Sequence, residues 1–182
     1  MSHRFNFSIY TDKMPGGWHA SYCEALEKLW DRLRDTAGSV LEIGVDGFGF
    51  TQSLADYFPG AVVVAIDVRD IPKPEHLSPR IEFMVRDAYS MECINELKEK
   101  WGPFDAISED GSHQLGHQEF FARHYPSLLS TNGVAVIEDI ADPAHLVTLQ
   151  SAVGPEFFTM GIDLTHHDNR RFDNRLLAIW RR

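Results

Sequence analysis

Residues 39–51, Ser-Val-Leu-Glu-Ile-Gly-Val-Asp-Gly-Phe-Gly-Phe-Thr, and residues 61–67, Ala-Val-Val-Val-Ala-Ile-Asp, decide how this chain folds. An apolar strand runs into a glycine-rich turn, and a second apolar strand ends on the carboxylate of Asp67. Such a unit holds an adenosine. The glycines let the backbone approach the ligand, and the terminal acid can bond the ribose hydroxyls. The glycines do not follow the G-x-G-x-x-G dinucleotide pattern: Glu42 stands two residues before Gly44, and Gly47 and Gly49 follow.

That arrangement resembles motif I of class I S-adenosylmethionine-dependent methyltransferases, which implies a methyl donor rather than NAD. Working outward, apolar residues from Trp18 to about Asp35 recur at helical spacing, and Gly38 closes that helix. Strands are expected at 39–43, 62–66, 81–85, 104–108 and 133–137. Helices are expected at 51–57, 90–100, 115–129 and 143–152. Pro72, Pro74 and Pro79 forbid a long helix between the second and third strands. Residues 157–164 and 176–180 can pair as a closing hairpin. Strands alternating with helices imply one Rossmann-like, doubly wound α/β sheet, mostly parallel, with a C-terminal antiparallel hairpin, the class I methyltransferase fold. Residues 1–17, polar and carrying Pro15-Gly16-Gly17, read as an N-terminal arm, and 18–182 as a single domain.

With 182 residues, 43% hydrophobic and 24% charged, the chain can bury a core without staples. A net charge of −10 argues against a nucleic-acid partner, which needs a basic face. No stretch reaches the length of a membrane span. Two unpaired cysteines, Cys23 and Cys93, fit buried thiols and a cytoplasmic protein. Arg170, Arg171, Arg175, Arg181 and Arg182 make the last segment locally basic, as on a solvated edge strand.

If the strand order is 3-2-1-4-5, Glu42, Asp67 and Asp87 line one rim. Asp67 is placed for both ribose hydroxyls and Asp87 with Ala88 for the adenine amino group. Each acid could instead cap a helix or end a loop, although the glycine turn before Asp67 favours a ligand there. Glu42 lies in an apolar run, where a carboxylate needs a partner near the methionine moiety. The candidate cofactor-binding set is Glu42, Gly44, Gly49, Thr51, Asp67, Asp87, Ala88 and Asp110.

A second acidic cluster follows from the same order. Strand four ends in Ser108-Glu109-Asp110-Gly111-Ser112-His113 and strand five in Val136-Ile137-Glu138-Asp139. Neighbouring strands lie about 4.8 Å apart, so Asp110, Glu138 and Asp139 meet at the donor rim. Close carboxylates raise one another's pKa unless a cation lies between them, and an all-oxygen set suits Mg²⁺, Mn²⁺ or Ca²⁺ rather than zinc; one or two of these acids could instead cap the following helices. His113 would overhang the site as a general base. His117, one turn further, could contact the acceptor but reads first as a satisfied surface residue, and His124, His166 and His167 read as structural or solvated.

The run Asp110-Gly111-Ser112-His113 with Val136-Ile137-Glu138-Asp139 resembles the metal-dependent macrocin and mycinamicin-type sugar O-methyltransferases, and much of it is shared by the cephalosporin hydroxylase-like group. Tyr10-Thr11-Asp12-Lys13, His19 and Tyr22 are similar to the arm before the first helix in those enzymes. The resemblance implies metal ligation by Asp110, Glu138 and Asp139, with His113 as base. It implies S-adenosylmethionine and Mg²⁺ or Mn²⁺ as cofactors, and a sugar or polyol-bearing acceptor from natural-product or glycan biosynthesis. Glu109 departs from that pattern, standing where aspartate is common. A nucleotide-dependent oxidoreductase and a non-catalytic methyltransferase-fold subunit are the alternative readings, and homo-oligomerisation is left open.

Overall fold

The computed structural model describes residues 5–14, 17, 20–167 and 171–182; Pro15, Gly16, Trp18, His19 and Arg170, named above, lie outside them. Seven strands form one sheet: β1 Ser39–Ile43, β2 Val62–Asp67, β3 Ile81–Val85, β4 Phe104–Glu109, β5 Leu129–Ile137, β6 Phe157–Asp163 and β7 Arg175–Arg181. Five helices accompany them: α1 Ala20–Trp30, α2 Gly49–Tyr57, α3 Met91–Lys100, α4 Leu115–His124 and α5 Pro143–Ala152. The strand order is β3-β2-β1-β4-β5-β7-β6. The first five strands pair in parallel, and β7 runs antiparallel to both β5 and β6. The expected order and closing hairpin are both present.

Strand alternation divides the apolar side chains between two faces. Leu41, Ile43, Val64, Ile66 and Ile107 pack with Ile94 and Leu97 of α3 and Phe121 of α4. Val40, Val63, Ala106 and Val136 pack with Leu26 and Trp30 of α1 and Leu54 of α2. A sheet buried on both faces needs near-continuous apolar strands, as 62–66 and 134–137 supply. Helix starts follow local chemistry. Ser90 accepts the Cys93 amide at 3.2 Å before α3, and Asp142 accepts that of Ala144 at 2.7 Å before α5, where Pro143 occupies the first turn.

Three details differ from the sequence expectation. The helix expected over 115–129 ends at His124; Pro126 follows, the chain tightens into a 3₁₀ turn over Tyr125–Leu128, and β5 begins at Leu129 rather than 133. The early part of β5 is accommodated by a register irregularity between Phe104 and Ala106. The basic segment is also not an edge strand: β7 is paired on both sides, and Arg175 bonds Asp163 and the carbonyls of Ala141 and Phe172.

The arm is irregular but docked. Phe5 is 4% exposed and stacks on Tyr57 at 4.3 Å, and Thr11 and Lys13 are buried. Gly49 makes this approach possible, because a Cβ there would lie 1.9 Å from the Tyr10 carbonyl oxygen. Gly49→Ala should therefore push the arm away, destabilise the fold by about 1–3 kcal/mol as overpacking does, and expose Lys13 to trypsin. Faster cleavage after Lys13, followed by mass spectrometry, checks this; an unchanged rate would contradict it.

Candidate active site

The carboxyl ends of four adjacent strands are tied in a row. Gly44 N–H donates to Ile66 O, Asp110 N–H to Ile43 O and Glu138 N–H to Glu109 O, each at 2.9 Å. Gly44 has φ +88, and a Cβ on it would lie 2.1 Å from the Asp110 carbonyl oxygen, so only glycine permits this approach. Two cavities open along the row, of about 640 and about 480 Å³, within the range of small-molecule sites. They meet along Asp12, Gly44, Asp46, Asp110, His113 and Asp139.

The larger cavity runs over Gly44, Asp67, Asp87 and Ala88. Asp67 accepts the Val45 amide at 2.9 Å and the Arg69 amide at 2.8 Å, and the Arg69 guanidinium grips both of its oxygens. Although burial opposes it, these bonds hold the carboxyl below its ordinary range. Asp87 accepts the Tyr89 amide at 2.9 Å, closing its own turn. Ala88 is buried, and its carbonyl accepts the Tyr125 hydroxyl at 2.7 Å.

The smaller cavity is bounded by Tyr10, Thr11, Asp12, Glu42 and Phe50, with Arg171 and Asp173 opposite. Glu42 is 2% exposed, and its Oε2 has no hydrogen-bond partner among the described residues. Burial pushes its pKa up to about 8, against the pull of Thr51 and Lys13. Thr51, in the first turn of α2, is wholly buried.

Of the expected metal set, the structure brings Asp110 and Asp139 together and adds His113. One donor atom from each lies within 4.8 Å of the others. His113 Nε2 stands 3.6 Å from Asp139 Oδ2. His113 and Asp139 adopt the left-handed conformation, φ +56 and +54, a strain concentrated where two loops aim side chains at one point. The two carboxylates suit a hard ion such as Mg²⁺ or Mn²⁺, whereas an imidazole is a poor ligand for Mg²⁺, so His113 stands beside the oxygen donors rather than among them. Glu138 is oriented differently: buried, it accepts the Ser108 hydroxyl and faces Lys13.

Sequence reasoning missed three participants. Lys13, quoted above only as part of the arm, places Nζ 2.6 Å from Asp110 Oδ2 and 3.2 Å from Glu138 Oε2. Burial alone would lower its pKa, but Asp110, Glu138 and Asp12 outweigh burial and keep it protonated. The Tyr22 hydroxyl donates to Asp139 Oδ1 at 2.8 Å and fixes that carboxylate. Tyr89 donates to Glu109 at 2.5 Å and stacks on His117 at 4.1 Å. His117, read as a surface residue, lines the larger cavity and shares a 2.6 Å hydrogen bond with Ser112. Burial pushes Glu109 up to about 7.

The strand order with its reversed β7 is that of the class I methyltransferase fold. Residues 23–176 match the model of the FtsJ-like methyltransferases, and the chain belongs to that family. Among curated proteins it is similar to an 8-demethyl-8-alpha-L-rhamnosyl tetracenomycin-C 2'-O-methyltransferase of Streptomyces olivaceus, 31% identical over 128 residues, 66% of this chain and 33% of the relative. It is also similar to the mycinamicin VI 2''-O-methyltransferase of Micromonospora griseorubida, 31% identical over 109 residues, 56% of this chain and 27% of the relative. The chain thus spans about a third of the length of these relatives. Among solved structures, MycE methyltransferase in complex with Mg, SAH and mycinamycin VI superposes with TM-score 0.65 at 24% identity, over 88% of this chain and 49% of that one, a likeness of fold.

Glu42 also predicts a pH dependence of stability. Its folded pKa, about 8, lies above the ordinary carboxylate value, so its contribution is fully present below about pH 4.3 and is lost as pH rises to about 8. Glu42→Gln, which mimics the neutral acid, should gain stability relative to wild type over that interval. Urea midpoints at pH 5 and pH 8 measure it; an equal difference at both would show that the carboxyl ionises freely.

Proposed function

We propose that this chain carries out divalent-metal-dependent O-methyl transfer from S-adenosylmethionine to a hydroxyl of a sugar or polyol-bearing small molecule, in the manner of the macrocin and mycinamicin-type enzymes. The observation that carries the reading is the convergence of Asp110, His113 and Asp139 where the two cavities meet. The names of the curated relatives, all sugar or glycoside O-methyltransferases of natural products, support the acceptor class.

The larger cavity would take the adenosine, with Asp67 toward the ribose and Asp87 and Ala88 toward the adenine. The Gly44 turn, which lines both cavities, suits the methionine end, with the partnerless Glu42 oxygen beside it in the smaller one; Gly49 and Thr51 are buried in α2 and line neither cavity. The acceptor would occupy the smaller cavity. Asp110 and Asp139 would hold the metal, with Glu138 behind them and Tyr22 fixing Asp139. A divalent ion there supplies positive charge that lowers the pKa of an acceptor hydroxyl. His113 would take the proton, and the freed oxygen would form its bond to the methyl carbon as the methyl–sulfur bond breaks, with the sulfonium leaving as the neutral thioether of S-adenosylhomocysteine. Much of the acceleration comes from holding the two reactants in line across the junction of the cavities.

Activity on a glycoside acceptor should vanish in EDTA and return with Mg²⁺ or Mn²⁺, and Asp139→Asn should abolish the rescue while S-adenosylhomocysteine affinity by calorimetry stays within a few-fold. Full turnover in chelator would remove the metal from the reading. His113→Ala should lose about 10²–10⁴-fold in turnover, the share of a positioned general base, while S-adenosylhomocysteine affinity stays within a few-fold. Retention of most of the wild-type rate would assign deprotonation elsewhere.

Asp67→Ala should weaken S-adenosylhomocysteine by about 1.5–3 kcal/mol, the value of a hydrogen bond to a charged group. Unchanged calorimetric affinity would place the ribose away from β2.

A further inference from the structure

We propose that Lys13 is the built-in counter-cation of the acid cluster: its ammonium offsets one of the three carboxylate charges of Asp110, Glu138 and Asp139 and leaves a site matched to a single divalent ion. The inference rests on the metal reading above and goes beyond it, because it assigns the charge and the assembly of that site to a residue of the arm.

Three observations carry it. The side chain is 1% exposed, and its Nζ lies 2.6 Å from Asp110, 3.2 Å from Glu138 and 3.8 Å from Asp12. The ammonium also sits over the Phe50 ring, 4.7 Å from its centroid, so aromatic carbon closes the remaining side. The main chain is fixed as well, since the Lys13 carbonyl accepts Cys23 Sγ of α1. A buried lysine so held cannot swing out when another cation arrives unless the arm leaves with it.

The consequence is a division of labour among the acids. Asp110 Oδ2 and Glu138 are engaged by Lys13, and Ser108 holds the other Glu138 oxygen. Asp110, His113 and Asp139 line both cavities. Glu138 acts through charge and through Lys13, and Lys13 is a positioning residue. Without the ammonium, Asp110, Glu138 and Asp139 would carry one negative charge more than a divalent ion neutralises, with Asp12 adding a fourth carboxylate at the rim, and the site would favour a trivalent ion.

The test needs neither acceptor nor turnover. Mn²⁺ binding is measured by electron paramagnetic resonance of the free ion, and Tb³⁺ binding by sensitised luminescence. The proteins compared are wild type, Lys13→Met, Glu138→Gln and the double variant. Lys13→Met should raise the Tb³⁺ to Mn²⁺ affinity ratio about tenfold or more, since the extra charge acts on a trivalent ion more strongly than on a divalent one. The double variant loses one charge of each sign and should return to within about threefold of wild type. If Lys13→Met does not fold, the same contrast is read between Glu138→Gln and the double variant, with the higher ratio in the double. A lysine that only fastens the arm would change both affinities in parallel, and unchanged ratios overturn the proposal. Wild-type protein that binds no Mn²⁺ would remove the metal site itself and this role with it, a result distinct from an unchanged ratio.

Discussion

Three backbone hydrogen bonds, Gly44 to Ile66, Asp110 to Ile43 and Glu138 to Glu109, extend the parallel ladder one residue past the strands and hold four chain ends in a row. Every other feature of the site follows from this row. It draws the Asp110 backbone so near Gly44 that no Cβ fits between them. It sets Asp67 on one side of the glycine turn, and Asp110 and Asp139 on the other, along two cavities that share a boundary.

Such a row gathers negative charge, and the protein answers with fixed donors. Arg69 and the Val45 amide hold Asp67, Tyr22 holds Asp139, Tyr89 holds Glu109 and Lys13 holds Asp110 and Glu138. Removing one member of a buried ion pair leaves an uncompensated charge, a loss of about 3–5 kcal/mol. The arm that carries Lys13 is therefore as much a part of the site as the strand ends are. Glu42 and Glu109 each keep one buried oxygen without a hydrogen-bond donor among the described residues, and Glu42 lines the smaller cavity.

The sheet was legible because its signals are local. Apolar runs, glycine turns and prolines locate β3 at Ile81–Val85 and give the order through β5, and alternation separates the two core faces. The end of α4 was less legible: the apolar spacing continues past His124, while Pro126 and the register irregularity opposite Phe104 bring β5 in early. Asp110, His113 and Asp139 could be read as neighbours because adjacent strands deliver them to one edge. Lys13 and Tyr22 could not, since their partners lie 97 and 117 residues away and no local pattern reports such pairing. The direction of Glu138, inward to Ser108 and Lys13, likewise depends on the arm rather than on the strand that bears it.

A site in which one junction of two cavities holds both a methyl donor and a divalent ion is tested most directly by crystals grown with S-adenosylhomocysteine and Mn²⁺, through anomalous scattering. A single manganese peak flanked by Asp110 and Asp139 is expected, with adenosine density against Asp67 and the homocysteine sulfur directed at the peak. Adenosine density away from Asp67, or no manganese peak between Asp110 and Asp139, would contradict this arrangement of donor and ion.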